Sequence, residues 1–157
     1  MKKSRLDKID RKILKELQEN GRITNVDLAK KVGISAPPCL RRVRALEESG
    51  YVRNYRARLD SALLGYNVTV FAMVRLTSQA ETDLIRFEQH VSKLSMVREC
   101  HMLAGEVDFI LKIVAKDWDD YQEFLKNELT SAPNVTSVKS SLSIRSAKEE
   151  PGVPVES

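Results

Sequence analysis

Cysteine is nearly absent. Cys39 and Cys100 are the only two in 157 residues, far apart and without the paired spacing of a metal-ligand set. That usage excludes a disulfide framework and points to a reducing, cytoplasmic setting. Histidine is as scarce. His90 stands alone in a helical pattern, and His101 follows Cys100 in an extended one, where neighbours point to opposite faces and cannot chelate one ion together. Neither a metal nor a cofactor is expected. There is no run of 18 apolar residues, and the first eleven residues are polar and charged, so neither a membrane span nor a signal peptide is expected. No nucleophile–base pair stands out, and no catalytic residue is assigned. What remains is 42% hydrophobic, enough for the cores of one domain or two small ones.

Charge is present but unevenly placed. Residues 1–60 carry sixteen Lys/Arg against eight Asp/Glu, whereas residues 61–157 carry ten against fourteen. A basic first third and an acidic remainder suggest two modules, of which only the first faces a polyanion. A well-solvated helical surface would give a similar imbalance, so motif order has to decide.

The first module reads as three short helices. Asp7 can cap a helix running to Asn20, with Asp10 in its first turn, Ile9, Ile13, Leu14 and Leu17 at helical spacing, and Gly21 ending it. Thr24, with Asp27 three residues on, opens a second helix whose seam is Leu28, Ala29 and Val32. Gly33-Ile34 is a tight turn, and Ser35 caps a third helix with Pro37 and Pro38 in its first turn and Gly50 at its end. That helix has Leu40, Val43 and Leu46 on one side and crowds Arg41, Arg42 and Arg44 together. A cationic helix just behind another short helix is the plan of a DNA-reading element. The competing reading pairs one arginine with Glu47 or Glu48 a turn away. Cys39 is expected to pack beneath this helix rather than to react. Residues 51–60 have the content of a wing or a linker strand.

The second module, expected over residues 67–146 after a linker at 61–66, reads strand, helix, strand, strand, helix, strand. Val68, Val70, Ala72, Val74 and Leu76 alternate in the first strand. Gly105-Glu106 separates two strands as a hairpin, Asp117 caps the second helix, and Pro133-Asn134 turns into the last strand. The order βαββαβ gives an α+β fold class: a winged helix-turn-helix domain followed by a ferredoxin-like domain. If one sheet face meets the helices, the other leaves Phe71, Met73, Ile110 and Val114 exposed, which suggests a homodimer. Residues 147–157 lack periodicity and read as a loose tail.

The motifs in order resemble the leucine-responsive regulator (Lrp/AsnC) family of feast/famine transcription regulators. The similar stretches are L-D-x-I-D-R-x-I-L from Leu6, G-R-I-T-N from Gly21, V-G-I-S-A-P-P-C-L-R-R-V-R-A-L-E from Val32, G-Y-V-x-x-Y-x-A-x-L-D from Gly50, and E-C-H-M-L-A-G-E-V-D-F-I-L from Glu99. Together they span about residues 5–146 across both modules. Two departures stand out: Ser61 where proline is common, and Val138 before Ser140 where the family often shows Thr-x-Thr, which removes one hydroxyl from an effector site.

The resemblance implies double-stranded DNA as a partner, with Ser35, Ala36, Pro37 and Pro38 entering the major groove and Arg41, Arg42 and Arg44 meeting base edges or phosphates. It also implies an effector, an amino acid, bound between subunits. Backbone groups of Leu103, Ala104 and Gly105 would hold its charged ends, Asp108 its ammonium, and Met102, Trp118, Ser140 and Ser141 its remaining surface. The plainer alternatives are that Gly105 only permits a turn, Asp108 caps a strand end and Trp118 is an assembly contact. The expected protein is thus a transcriptional regulator, a homodimer assembling to a tetramer or octamer. Two rivals are an architectural DNA organiser without a ligand and an enzyme on the plan of the siroheme decarboxylases.

Overall fold

The computed structural model describes residues 6–150 and 152–156. The chain forms two compact units: Met1–Arg58 with Lys148–Ser157, and Leu59–Ala147.

In the first unit, Asp7 starts helix α1 (Lys8–Glu19). Its carboxylate accepts the Asp10 N–H at 2.8 Å while the Asp10 carboxylate accepts the Asp7 N–H at 3.1 Å, so two otherwise orphaned donors are satisfied reciprocally. Asn20, not Gly21, is the residue that ends the helix. Thr24 opens α2 (Asn25–Val32) by accepting the Asp27 N–H, and Gly33 closes it at φ 78°, a left-handed conformation that glycine adopts freely. Helix α3 (Ala36–Glu48) follows at once. Ile13, Leu28, Ala29, Val32, Cys39 and Leu46 form the buried core, with Tyr51 and Val52 packed against it. The expected wing is not a strand: residues 53–60 carry no regular secondary structure. Tyr55 crosses back to lie against Gly21 and donates its hydroxyl to Glu47 at 2.8 Å. Burial, together with that carboxylate, pushes the Tyr55 phenol up to about 12.

The second unit has the expected order: β1 (Val68–Leu76), α4 (Glu81–Val91), β2 (Val97–Met102), β3 (Phe109–Ala115), α5 (Trp118–Phe124) continued by a π-helical turn (Leu125–Leu129), and β4 (Val135–Leu142). The antiparallel sheet runs β2-β3-β1-β4. One face buries Val70, Ala72, Val74, Phe109, Leu111 and Ile113 against Phe87, Val91, Tyr121 and Phe124 of the helices. Phe87 and Phe109 meet with ring centroids 4.8 Å apart. The other face carries Phe71, Met73, Ile110 and Val114 in the pleat, with Phe71 37% exposed. The β2–β3 connection is longer than the two-residue turn expected at Gly105-Glu106, because pairing stops at Met102 and Phe109. Among the described residues, no helix is long and apolar enough to cross a membrane.

Candidate DNA-reading helix and effector pocket

Helix α3 does not present its three arginines alike. At about 100° per residue, Pro37, Arg41, Arg44 and Glu48 fall along one stripe, and all four are exposed. Arg42 points to the packed side. Its Nη1 donates to the Asp7 and Asp10 carboxylates, 2.7 Å from each, so one guanidinium bridges the capping pair of α1. The competing expectation of an Arg44–Glu48 pair is not met, and among the described residues Arg41 and Arg44 have no hydrogen bond or ion pair. Arg42 therefore differs from Arg41 and Arg44 in being ion-paired within the unit. Leu40 also changes sides: it is 38% exposed beside Pro37 and Arg41, while the buried seam is Cys39, Val43 and Leu46. Cys39 is fully buried and its thiol is pushed up by desolvation, so it packs rather than reacts. Cys100 is likewise pushed up, to about 11, by burial and the nearby Glu88.

Ser35 stands at the cap position of α3 but makes no side-chain capping bond. The reason is covalent. A cap hydroxyl accepts from the second or third helical N–H, and those positions are Pro37 and Pro38, which have none. The Ser35 hydroxyl is thus left exposed at the tip of the helix, beside the half-buried Ala36.

In the second unit a cleft of about 250 Å³ is lined by Gln79, Leu84, Met102, Leu103, Ala104, Gly105 and Asp108. Its volume is below the ~300–1,000 Å³ of drug-sized sites and suits a small metabolite. Larger clefts occur in the first unit, beside residues 152–156, and in the second beside Lys93 and Asp120, but neither touches these residues. Asp108 is buried, and its carboxylate is already engaged: Oδ2 accepts the Leu76 N–H at 2.7 Å and Oδ1 accepts from Gln79 Nε2 at 2.8 Å. The Leu76 N–H is available because the β1–β4 register slips between Arg75 and Leu76. Asp108 therefore does close a strand end. Asp108 nonetheless contributes to the lining of the cleft.

Around it, the Leu103 N–H is taken by the Asp108 carbonyl at 2.8 Å, while Arg75 holds the Glu106 carbonyl through Nε at 3.0 Å. Among the described residues, the N–H groups of Ala104 and Gly105 have no protein acceptor. Gly105 has no left-handed φ, and a Cβ built on it would meet nothing within 4 Å. The subunit's own backbone therefore does not require glycine there. Gln79 was not evident from the sequence; a polar residue just past a strand was the only signal.

Trp118, Ser140 and Ser141 do not join this cleft within one subunit. The two serines lie on β4, the sheet edge opposite β2, and on opposite faces of it. Ser140 shares a hydrogen bond with Tyr121, whose ring packs 5.3 Å from that of Trp118. Ser141 pairs with Phe71 on the open face.

A winged helix-turn-helix DNA-binding family matches residues 6–53, and the Lrp/AsnC ligand binding domain family matches residues 69–153. The chain belongs to the Lrp/AsnC family. It is 51% identical over 144 residues to the leucine-responsive regulatory protein of Rhizobium meliloti, covering 92% of each chain. It is 44% identical over 141 residues to the Bkd operon transcriptional regulator of Pseudomonas aeruginosa, covering 90% of this chain and 92% of that one. Among solved structures it resembles a transcriptional regulator of Neisseria meningitidis in complex with L-Met, at TM-score 0.91 and 36% identity over 96% of this chain and 97% of that one. An AsnC family regulator of Agrobacterium tumefaciens gives a TM-score of 0.89, also at 36% identity, over 95% and 97%. As an Lrp/AsnC regulator, the chain combines a DNA-binding unit with a ligand-binding domain.

The Arg42 bridge carries a pH signature. The Asp10 N–H and the Arg42 guanidinium hold the Asp7 carboxyl below its ordinary value of 3.8. A depressed folded pKa stabilises fully above the unfolded value and is lost as pH falls through the folded one. Arg42→Ala should therefore lower the melting temperature of the DNA-binding unit at pH 7 and shrink the difference from wild type as pH falls below about 3.8, as followed by circular dichroism.

Proposed function

We propose that this Lrp/AsnC regulator reads DNA with the exposed Pro37–Leu40–Arg41–Arg44 side of α3 and adjusts that reading when an amino acid binds beside the Gly105–Asp108 loop. The observation that carries the DNA half is the division of the arginines, two free and one bridged. Free guanidinium groups can take phosphates or a guanine edge, and the Leu40 side chain suits a thymine methyl. The Ser35 hydroxyl and the proline-bearing tip, Ala36, Pro37 and Pro38, would approach the groove first.

For the effector half, the unpaired Ala104 and Gly105 N–H groups suit a carboxylate, and the Gln79 and Asp108 oxygens suit an ammonium. The L-Met complex of the Neisseria relative makes methionine the first candidate to test. Trp118, Ser140 and Ser141 would contribute, if at all, from a neighbouring subunit. The open sheet face with Phe71, Met73, Ile110 and Val114 supports a homodimer, and larger assemblies would be built from it. Such a regulator works on the chromosome, in the cytoplasm. Effector binding between subunits would alter the spacing of paired recognition helices.

Arg41→Ala and Arg44→Ala should each weaken operator binding and reduce the steepness of its salt dependence by about one phosphate contact, while Arg42→Ala leaves that steepness unchanged. Equal slopes in all three variants by fluorescence anisotropy would contradict the assignment. Separately, calorimetry against the amino acids should find one that binds and shifts operator affinity, with Asp108→Asn weakening it about tenfold or more, the scale of a lost charge-assisted bond. If none binds, the effector reading fails in favour of a ligand-free DNA organiser.

A further inference from the structure

The first unit carries an apolar cleft of about 670 Å³ that none of the DNA-facing residues lines. Leu14, Leu17, Gln18, Tyr51, Val52 and Tyr55 form part of its wall, and residues 152–155, from the far end of the chain, form another part. The tail expected to be loose is therefore held there, in residues 152–156, although it has no regular secondary structure. One side chain makes the attachment. Gln18 Nε2 donates to the Val153 carbonyl at 2.8 Å, and Gln18 Oε1 accepts the Val153 N–H at 3.1 Å. The amide of a helix residue thus does for Val153 what a neighbouring strand would do, satisfying both its backbone groups without regard to its side chain.

The neighbours of Val153 suit that mode. Gly152 sits at φ 81°, and a Cβ there would fall on the Gln18 amide, so any other residue would block the approach. Pro154 has no N–H to satisfy and biases Val153 towards the extended conformation, which lowers the entropy lost on docking. Val155 is half-buried, whereas Val153 is 65% exposed, so the seat is shallow. Upstream, Arg58 grips Glu149 twice, through its carboxylate and, at 3.1 Å, its carbonyl.

We infer that the Gln18 edge of α1, beside this cleft, is a docking site for an extended Gly-Val-Pro-Val peptide, and that its occupant is the chain's own C-terminal segment. The inference rests on the Gln18 geometry and stands whether or not the effector reading does. Docking has an electrostatic consequence. It commits Arg58, one of three arginines between residues 53 and 58, to a carboxylate and trims the positive charge that the unit offers to a polyanion.

Hydrogen exchange of the full-length protein tests the docking. The Val153 amide should exchange at least tenfold more slowly than an unstructured amide in the wild type, and return to the unstructured rate in both Gln18→Ala and Gly152→Val. Alanine is the better helix former, so α1 persists in the first variant, and the second lies outside every helix of the unit. An unprotected Val153 in the wild type, or protection that survives both substitutions, overturns the proposal. In a sample mixed from isotopically labelled and unlabelled chains, contacts between Val153 of one copy and Gln18 of another would also overturn the own-chain assignment.

Discussion

One guanidinium fixes how the DNA-binding unit is assembled. Arg42 reaches from the middle of α3 to the two carboxylates that cap α1, and each contact is 2.7 Å. The bridge joins elements that local sequence rules treat separately: the cap of one helix and the phase of another. Asp7 and Asp10 already sit where the positive end of the α1 dipole favours them, so the added cation meets negative charge held in place by the backbone. With Arg42 drawn inward, Cys39, Val43 and Leu46 take the core and the Pro37, Leu40, Arg41 and Arg44 side is left to face outward. An exposed ion pair adds little to stability as a rule. Here the bridge and the buried Cys39–Val43–Leu46 seam agree on one rotation of α3.

A comparable device operates in the ligand-binding unit. Asp108 is a buried carboxylate that takes the one β1 N–H released by a register slip and a side-chain amide from Gln79. Its carbonyl also accepts the Leu103 N–H at the start of the loop whose Ala104 and Gly105 line the cleft. In both units, then, acidic residues first organise backbone or cation partners, and the surface open to a ligand is what those bonds leave uncommitted.

Much of this was legible in the sequence because it is local. Capping by Asp7 and Thr24, the alternation along β1 and the βαββαβ order follow from spacing alone. What was not legible shares a cause. Arg42 differs from Arg41 and Arg44 in a way no charge count shows, because a count ignores helical phase and its partners lie more than thirty residues away. Leu40 was taken for seam because Cys39, beside it, is an equally good core residue. The Ser35 cap failed for a reason already visible in Pro37 and Pro38: position was read without asking which N–H groups remained. The Gly105-Glu106 turn proved longer because β2–β3 pairing stops at Met102 and Phe109, and the docking of residues 152–156 on Gln18 is a contact that periodicity cannot register.

The central claim is that Arg42 bridges α3 to the capping pair of α1, and the proposed function leaves it no DNA contact. A double-mutant cycle on unfolding free energy, with Arg42→Ala, Asp10→Ala and the double variant, tests it most directly. The account predicts a favourable coupling above about 0.5 kcal/mol at low salt, shrinking as salt screens the pair. Strict additivity at low salt, with operator binding lost in Arg42→Ala alone, would contradict it.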